Sequence, residues 1–133
     1  MKDSMNKHLG MLILRLGSAG MMLTHGIPKI NRLFADEVKF ADPFGLGPTI
    51  SLALAVFAEV VCSALLILGL KTRLATIPLM ITMLTAAFVA HAADPFGRKE
   101  LPLLYFTVFL VLLIVGGGKY SLDAFWKKKT SLL

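Results

Sequence analysis

The chain has 133 residues, 56% of them hydrophobic and only 17% charged, with a formal net charge of +6. A soluble domain this short cannot hide that much apolar surface, because small domains bury the smallest fraction of their area. The composition excludes an ordinary water-soluble enzyme, and the long apolar blocks leave no room within these residues for a Rossmann unit or a P-loop domain.

In chain order, Lys2 and Lys7 precede the first apolar block, and Gly17-Ser18-Ala19-Gly20 has the small residues of a signal-peptide cleavage site. The apolar run continues to His25, so it is read as a retained span over residues 9–28. Arg15, Ser18, Met22, His25 and Lys29 recur within it at 3-4-3-4 spacing and so share one face, expected to point into a bundle. A second span covers 48–70, opened by Pro48, with Glu59 midway and Cys62 one turn further on. A third covers 73–92, where Ala86, Ala87 and Ala90 permit close helix packing. A fourth covers 100–116, with Pro102 in its first turn and Gly116-Gly117-Gly118 as its stop. Each comes near the roughly 20 mostly apolar residues that a bilayer core requires. In the tail, 119–133, Ser121 can cap a short segment whose Leu122, Phe125 and Trp126 lie in the headgroup layer, with Lys127–Lys129 reaching anionic lipid. The expected fold is all-α: one domain over 1–133, a four-helix transmembrane bundle. The lone Cys62 rules out an internal disulfide or a cysteine-based metal cluster.

Orientation follows from Lys and Arg. The side with both termini and the second connection carries eight (Lys2, Lys7, Lys71, Arg73, Lys119, Lys127, Lys128, Lys129), against five (Lys29, Arg32, Lys39, Arg98, Lys99) on the other. Both termini are therefore expected in the cytoplasm, and the charge is a membrane-orientation signal with no nucleic-acid partner implied. The segment ADPFG occurs twice, at Ala41–Gly45 and Ala93–Gly97, both on the outer side. The 52-residue offset also matches Val56-Phe57 to Val108-Phe109, which predicts two matching helical hairpins. Turn chemistry alone is the competing explanation, since Asp, Pro and Gly each favour turns.

Ionisable groups inside a span are costly and stand as functional hypotheses. Heights at ~1.5 Å per residue put Arg15 and Glu59 within ~6 Å of one another along the bundle axis, so an Arg15–Glu59 ion pair is expected, either fixing register or relaying protons. The same rise brings His25 and His91 to nearly one level near the outer surface, with Lys29, Asp94 and Glu100 alongside. Three readings of this cluster are open. The histidines are interfacial residues satisfied by loop carboxylates; or they hydrogen-bond or protonate a quinone-like ligand whose ring meets Phe44, Phe88, Phe96 or Tyr105; or they ligate haem or a metal, for which two ligands are thin support.

RLGSAGMMLTHGIPKI, GLGPTISLALAVFAEVVCSALLILGLKTR, HAADPFGRKELPLLYF and GGGKYSLD, in this order, closely resemble the DoxX family of small bacterial membrane proteins. The resemblance runs from about Leu9 to Asp123 and marks Arg15, His25, Gly26, Lys29, Glu59, Gly69, Arg73, His91, Asp94, Pro95 and Glu100 as family positions. The family's GPGRYSLD stands here as GGGKYSLD, which loses a proline and keeps the basic charge. The resemblance implies a multi-pass protein of the bacterial inner membrane. Its namesakes are associated with a terminal quinol oxidase and a thiosulfate:quinone oxidoreductase, relatives occur beside enzymes that detoxify quinones or relieve oxidative stress, and distant members act as assembly factors. The first expectation is a membrane subunit of a quinone-linked redox system, with His25 and His91 bonding the ligand, Asp94 or Glu100 orienting an imidazole and Lys29 balancing charge. Any part in catalysis would be as an accessory subunit, beside a soluble redox enzyme or a second membrane subunit. The alternatives are a non-enzymatic scaffold recruiting soluble redox enzymes and a small proton-coupled transporter using Glu59, which four helices support only as a homo-oligomer.

Overall fold

A computed structural model describes residues 1–131, and every regular element among them is a helix. These are α1, Lys2–Leu33; α2, Pro48–Leu68, and α3, Thr72–Ala90; α4, Phe96–Val115; and a short α5, Leu122–Ser131. Leu132 and Leu133, the end of the expected tail, lie outside the described residues. α2 and α3 are each long and apolar enough to cross a membrane.

Helix boundaries follow local chemistry more than the edges of the apolar blocks. α1 extends beyond 9–28 at both ends, because nothing in its polar flanks breaks a helix and Asp3 in the first turn suits the positive N-terminal end. It also passes through Pro28, expected to end it. Pro48 does open α2, where a missing N–H leaves no hydrogen bond unmade. Pro102 lies in the interior of α4, which begins at Phe96 directly after Pro95. Gly69 (φ 68°) closes α2 and Gly116 (φ 79°) closes α4, both in backbone conformations that a side chain would strain.

The two ADPFG copies do different work, so the hairpins match less closely than their sequences. In the first, the Asp42 carboxylate accepts from the Gly47 N–H and the Ser51 hydroxyl, each at 3.1 Å. That copy stays in the loop, because the positive φ of Gly45 and Gly47 delays the helix until Pro48. In the second, Phe96 is already the first residue of α4, and Asp94 bonds to His91 at 2.7 Å.

α1 packs along α2 and α3 along α4, and the pairs join through α2–α3 and α1–α4 contacts. The shared core holds Ala19, Met22, Ala58, Leu66, Leu79, Phe109 and Leu112. Small residues at its centre let the helices approach closely. Ile13, Ile50, Leu54, Ile81, Leu104 and Ile114 face outward. The outer surface of the bundle is thus broadly apolar.

The two ends differ. At the end bearing the termini, buried Arg15 donates to the carbonyls of Gly117 (2.5 Å) and Tyr120 (2.8 Å). Asp123 accepts from the backbone N–H groups of Lys71 (2.7 Å) and Thr72 (2.9 Å) and returns its own N–H to the Gly69 carbonyl. The Lys119 N–H bonds to Nδ1 of His8. Residues 117–123 thus form a clasp from the end of α4 across α1 and the α2–α3 turn. Ser121 does cap α5, accepting from the Ala124 N–H at 3.2 Å. At the opposite end, residues Pro48–Val56 and Ala86–Ala90 make no substantial packing contact with one another, and the bundle opens between them.

Candidate functional site

That opening is a cavity of about 610 Å³ reached by residues of all four long helices. Its apolar wall comes from Met22, Leu54, Ala55, Phe57, Ile81 and Tyr105 among others. Its charged and imidazole groups are His25 and Lys29 of α1, Glu59 of α2, His91 at the end of α3, and Arg98 of α4, beside the hydroxyls of Ser51, Thr82, Thr85 and Tyr105.

The centre of this group is a Lys29–Glu59 ion pair. Lys29 Nζ lies 2.7 Å from Glu59 Oε1 and 2.6 Å from Oε2, with Glu59 only 2% exposed. The expected Arg15–Glu59 pair does not form, for a reason of helix geometry. Side chains lean toward the N-terminus of their own helix. α1 and α2 run in opposite directions, so Lys29 leans inward along the bundle and Glu59 leans outward to meet it. Arg15, on the same helix as Lys29, also leans toward the N-terminus of α1, which takes it to the terminal clasp and away from Glu59. Gly26 fixes the approach: a Cβ there would stand 2.8 Å from the Glu59 Cβ and 3.0 Å from its backbone carbon. Glu59 also sits in a π-helical segment, Phe57–Cys62, and a second one, Ala86–Ala90, delivers His91. Such segments re-aim side chains and recur at functional sites.

His25 meets Tyr105 edge-on, with ring centroids 5.9 Å apart, and Tyr105 stacks on Phe109 at 6.0 Å. His91 Nδ1 is engaged by Asp94 at 2.7 Å, which orients the ring. The Asp94 carboxyl is held below its usual range first by that hydrogen bond, then by the positive charges of His91, Arg98 and Lys99. Glu100 is exposed and takes no place in the cavity wall, so of the two carboxylates expected to orient an imidazole Asp94 makes the bond. Of the aromatic residues expected against a ligand, Phe44 and Tyr105 line the cavity, while Phe88 and Phe96 face outward. Arg98 and Phe40 were missed. Phe40 sits under the cations of Lys29 (6.0 Å) and Arg32 (5.4 Å), closing the loop over the cavity mouth. Its only sequence signal was an aromatic residue beside the first ADPFG. Among the described residues no three His, Cys, Asp or Glu side chains gather as a metal site.

Two uncharacterized proteins of Haemophilus influenzae are similar to the chain. One is 34% identical over 140 aligned positions, covering 96% of this chain and 93% of the relative. The other is 35% identical over 123, covering 86% and 90%. No solved structure matches significantly. The sequence pattern of the DoxX family matches residues 10–92, a stretch that includes Lys29, Glu59 and His91 of the cavity wall, and the chain belongs to the DoxX family.

Proposed function

We propose that this chain is a multi-pass protein of the bacterial inner membrane, a four-helix transmembrane bundle with both termini in the cytoplasm. Its cavity binds a quinone-like lipid near the outer leaflet, as the membrane subunit of a quinone-linked redox or oxidative-stress system. The observation that carries this reading is the cavity, where hydrogen-bonding side chains from four helices meet an otherwise apolar wall. Its volume lies within the range of small-molecule sites.

The chemistry of the wall favours an uncharged head group. Lys29 and Glu59 neutralise one another, so a ligand carrying full charge gains little there. A quinone offers carbonyl oxygens as acceptors and takes up two electrons and two protons when reduced. Lys29 Nζ, a ring nitrogen of His25 or His91 and the Tyr105 hydroxyl are donors of the kind such carbonyls need. The aromatic rings of Tyr105 and Phe44 offer faces for a flat ring. The gap between the outer halves of α2 and α3 gives an isoprenoid tail a way out into lipid. The chain contributes binding and protons, and electrons come from a partner redox enzyme.

The test is a redox difference spectrum of the gently solubilised protein, with its organic extract assayed for quinone. Near-stoichiometric quinone is expected, lost in His25→Ala and His91→Ala while both variants keep the wild-type melting temperature. If both variants retain wild-type quinone content, or if the wild type carries none when isolated in native membrane discs, the reading fails. In that case co-purification of a soluble redox enzyme would favour the scaffold alternative.

A further inference from the structure

At the terminal end, away from the cavity, a second recess of about 380 Å³ lies between the α2–α3 turn, the glycine run after α4 and the start of α5. We infer that it binds the phosphate head group of an anionic phospholipid. This shares with the proposed function only the membrane setting and does not depend on any quinone.

The recess is basic. Lys71, Arg73 and Lys127 line it, against a single acid, Asp123, whose two carboxylate oxygens are already taken by the N–H groups of Lys71 and Thr72. Because Asp123 caps the first turn of α3, attraction for an anion rests on the side-chain cations and owes nothing to the helix end. The glycines build the space. A Cβ on Gly116 would stand 3.3 Å from Arg73 Nε and 3.4 Å from Nη2, so the guanidinium lies flat against bare backbone. The guanidinium's bond to the Ile114 carbonyl, at 3.4 Å, is long and uses one N–H of five. A Cβ on Gly117 would collide with Thr72 Oγ1 at 2.7 Å.

The apolar edge of the recess selects lipid over free phosphate. Leu74 and Val115 line the same recess, and with Ile114 they face outward at 63%, 38% and 68% exposure. A phosphate bound at Arg73 would leave these side chains uncovered, whereas the acyl chains of a phospholipid cover them. Basic pockets at the cytoplasmic end of helix pairs hold anionic head groups in this way.

The experiment titrates the full-length protein in neutral detergent with phosphatidylglycerol, phosphatidylcholine and inorganic phosphate, and counts bound molecules by native mass spectrometry. Phosphatidylglycerol should bind in preference to phosphatidylcholine, and Arg73→Gln or Lys71→Gln should each weaken it about fivefold. The double variant should lose about 25-fold with phosphatidylcholine binding unchanged. Lys71 is exposed and its hydrogen bond is made by its backbone, so Lys71→Gln carries the test should Arg73→Gln fail to fold. Equal binding of the two lipids by the wild type, an undiminished preference in the double variant, or inorganic phosphate binding as tightly as the lipid would each overturn the inference.

Discussion

The two ends of the bundle use the same kind of residue in opposite ways. Arg15 and Lys29 are cations on one face of α1, separated by 14 residues or ~21 Å of helix. Arg15 is buried and donates through its two Nη atoms to backbone carbonyls, so it locks the tail to the bundle. Lys29 is partly exposed and meets a carboxylate inside a cavity, where the pair remains open to a ligand. A charge on the inward face of a helix therefore does not by itself mark a site. The partner decides: backbone carbonyls signal architecture, and a titratable partner facing a void signals chemistry.

The strongest way to break this contrast is Arg15→Ala. It removes two hydrogen bonds from a charged donor and strands the buried Gly117 carbonyl, which should cost about 3–5 kcal/mol. Thermal unfolding in detergent should register the loss, and limited proteolysis should cut the freed tail while quinone content per folded molecule is kept. Next is Gly26→Ala, which presses a methyl group into the backbone at Glu59. A cost of about 2 kcal/mol is expected from overpacking, together with loss of ligand as the Lys29–Glu59 pair is displaced. Glu59→Gln should cost only about 1 kcal/mol, since Lys29 keeps some access to solvent. The double variant Lys29→Met/Glu59→Leu should recover that stability without recovering ligand. Recovery of both would make the pair architectural, like Arg15.

The smallest effect concerns the α3–α4 turn. The folded-state pKa of Asp94 lies below its unfolded value, so its bond to His91 contributes fully above pH ~4 and is lost as pH falls through the lowered value. Amide exchange at Ala92–Asp94 should stay protected down to pH ~4 and rise below it. In Asp94→Asn that acid-dependent rise should be absent.

Much of this arrangement was legible in the sequence. The 3-4-3-4 spacing on α1 gave the inward face, with Arg15, Ser18 and Met22 buried as expected. The glycine run stopped α4, and the shared level of His25 and His91 pointed to the cavity. The Arg15–Glu59 expectation failed because axial height ignores the direction in which a side chain leans, and in antiparallel helices those directions oppose. The clasp was missed because Asp123 reads as an ordinary surface acid until the chain folds back 51 residues to the N–H of Thr72. The π-helical segments carry no sequence signal, since their residues are the same alanines, valines and phenylalanines that build ordinary helix.

The most direct test of the cavity's role is photolabelling of the full-length protein in membrane discs with an azido-quinone, followed by mass-spectrometric mapping of the labelled residues. The account predicts label on cavity-lining segments of α1 to α4, around Met22–Lys29, Leu54–Glu59, Ile81–His91 and Arg98–Tyr105, and its suppression by excess unlabelled quinone. Label confined to the terminal clasp, or spread over the lipid-facing surface and indifferent to competitor, would contradict it.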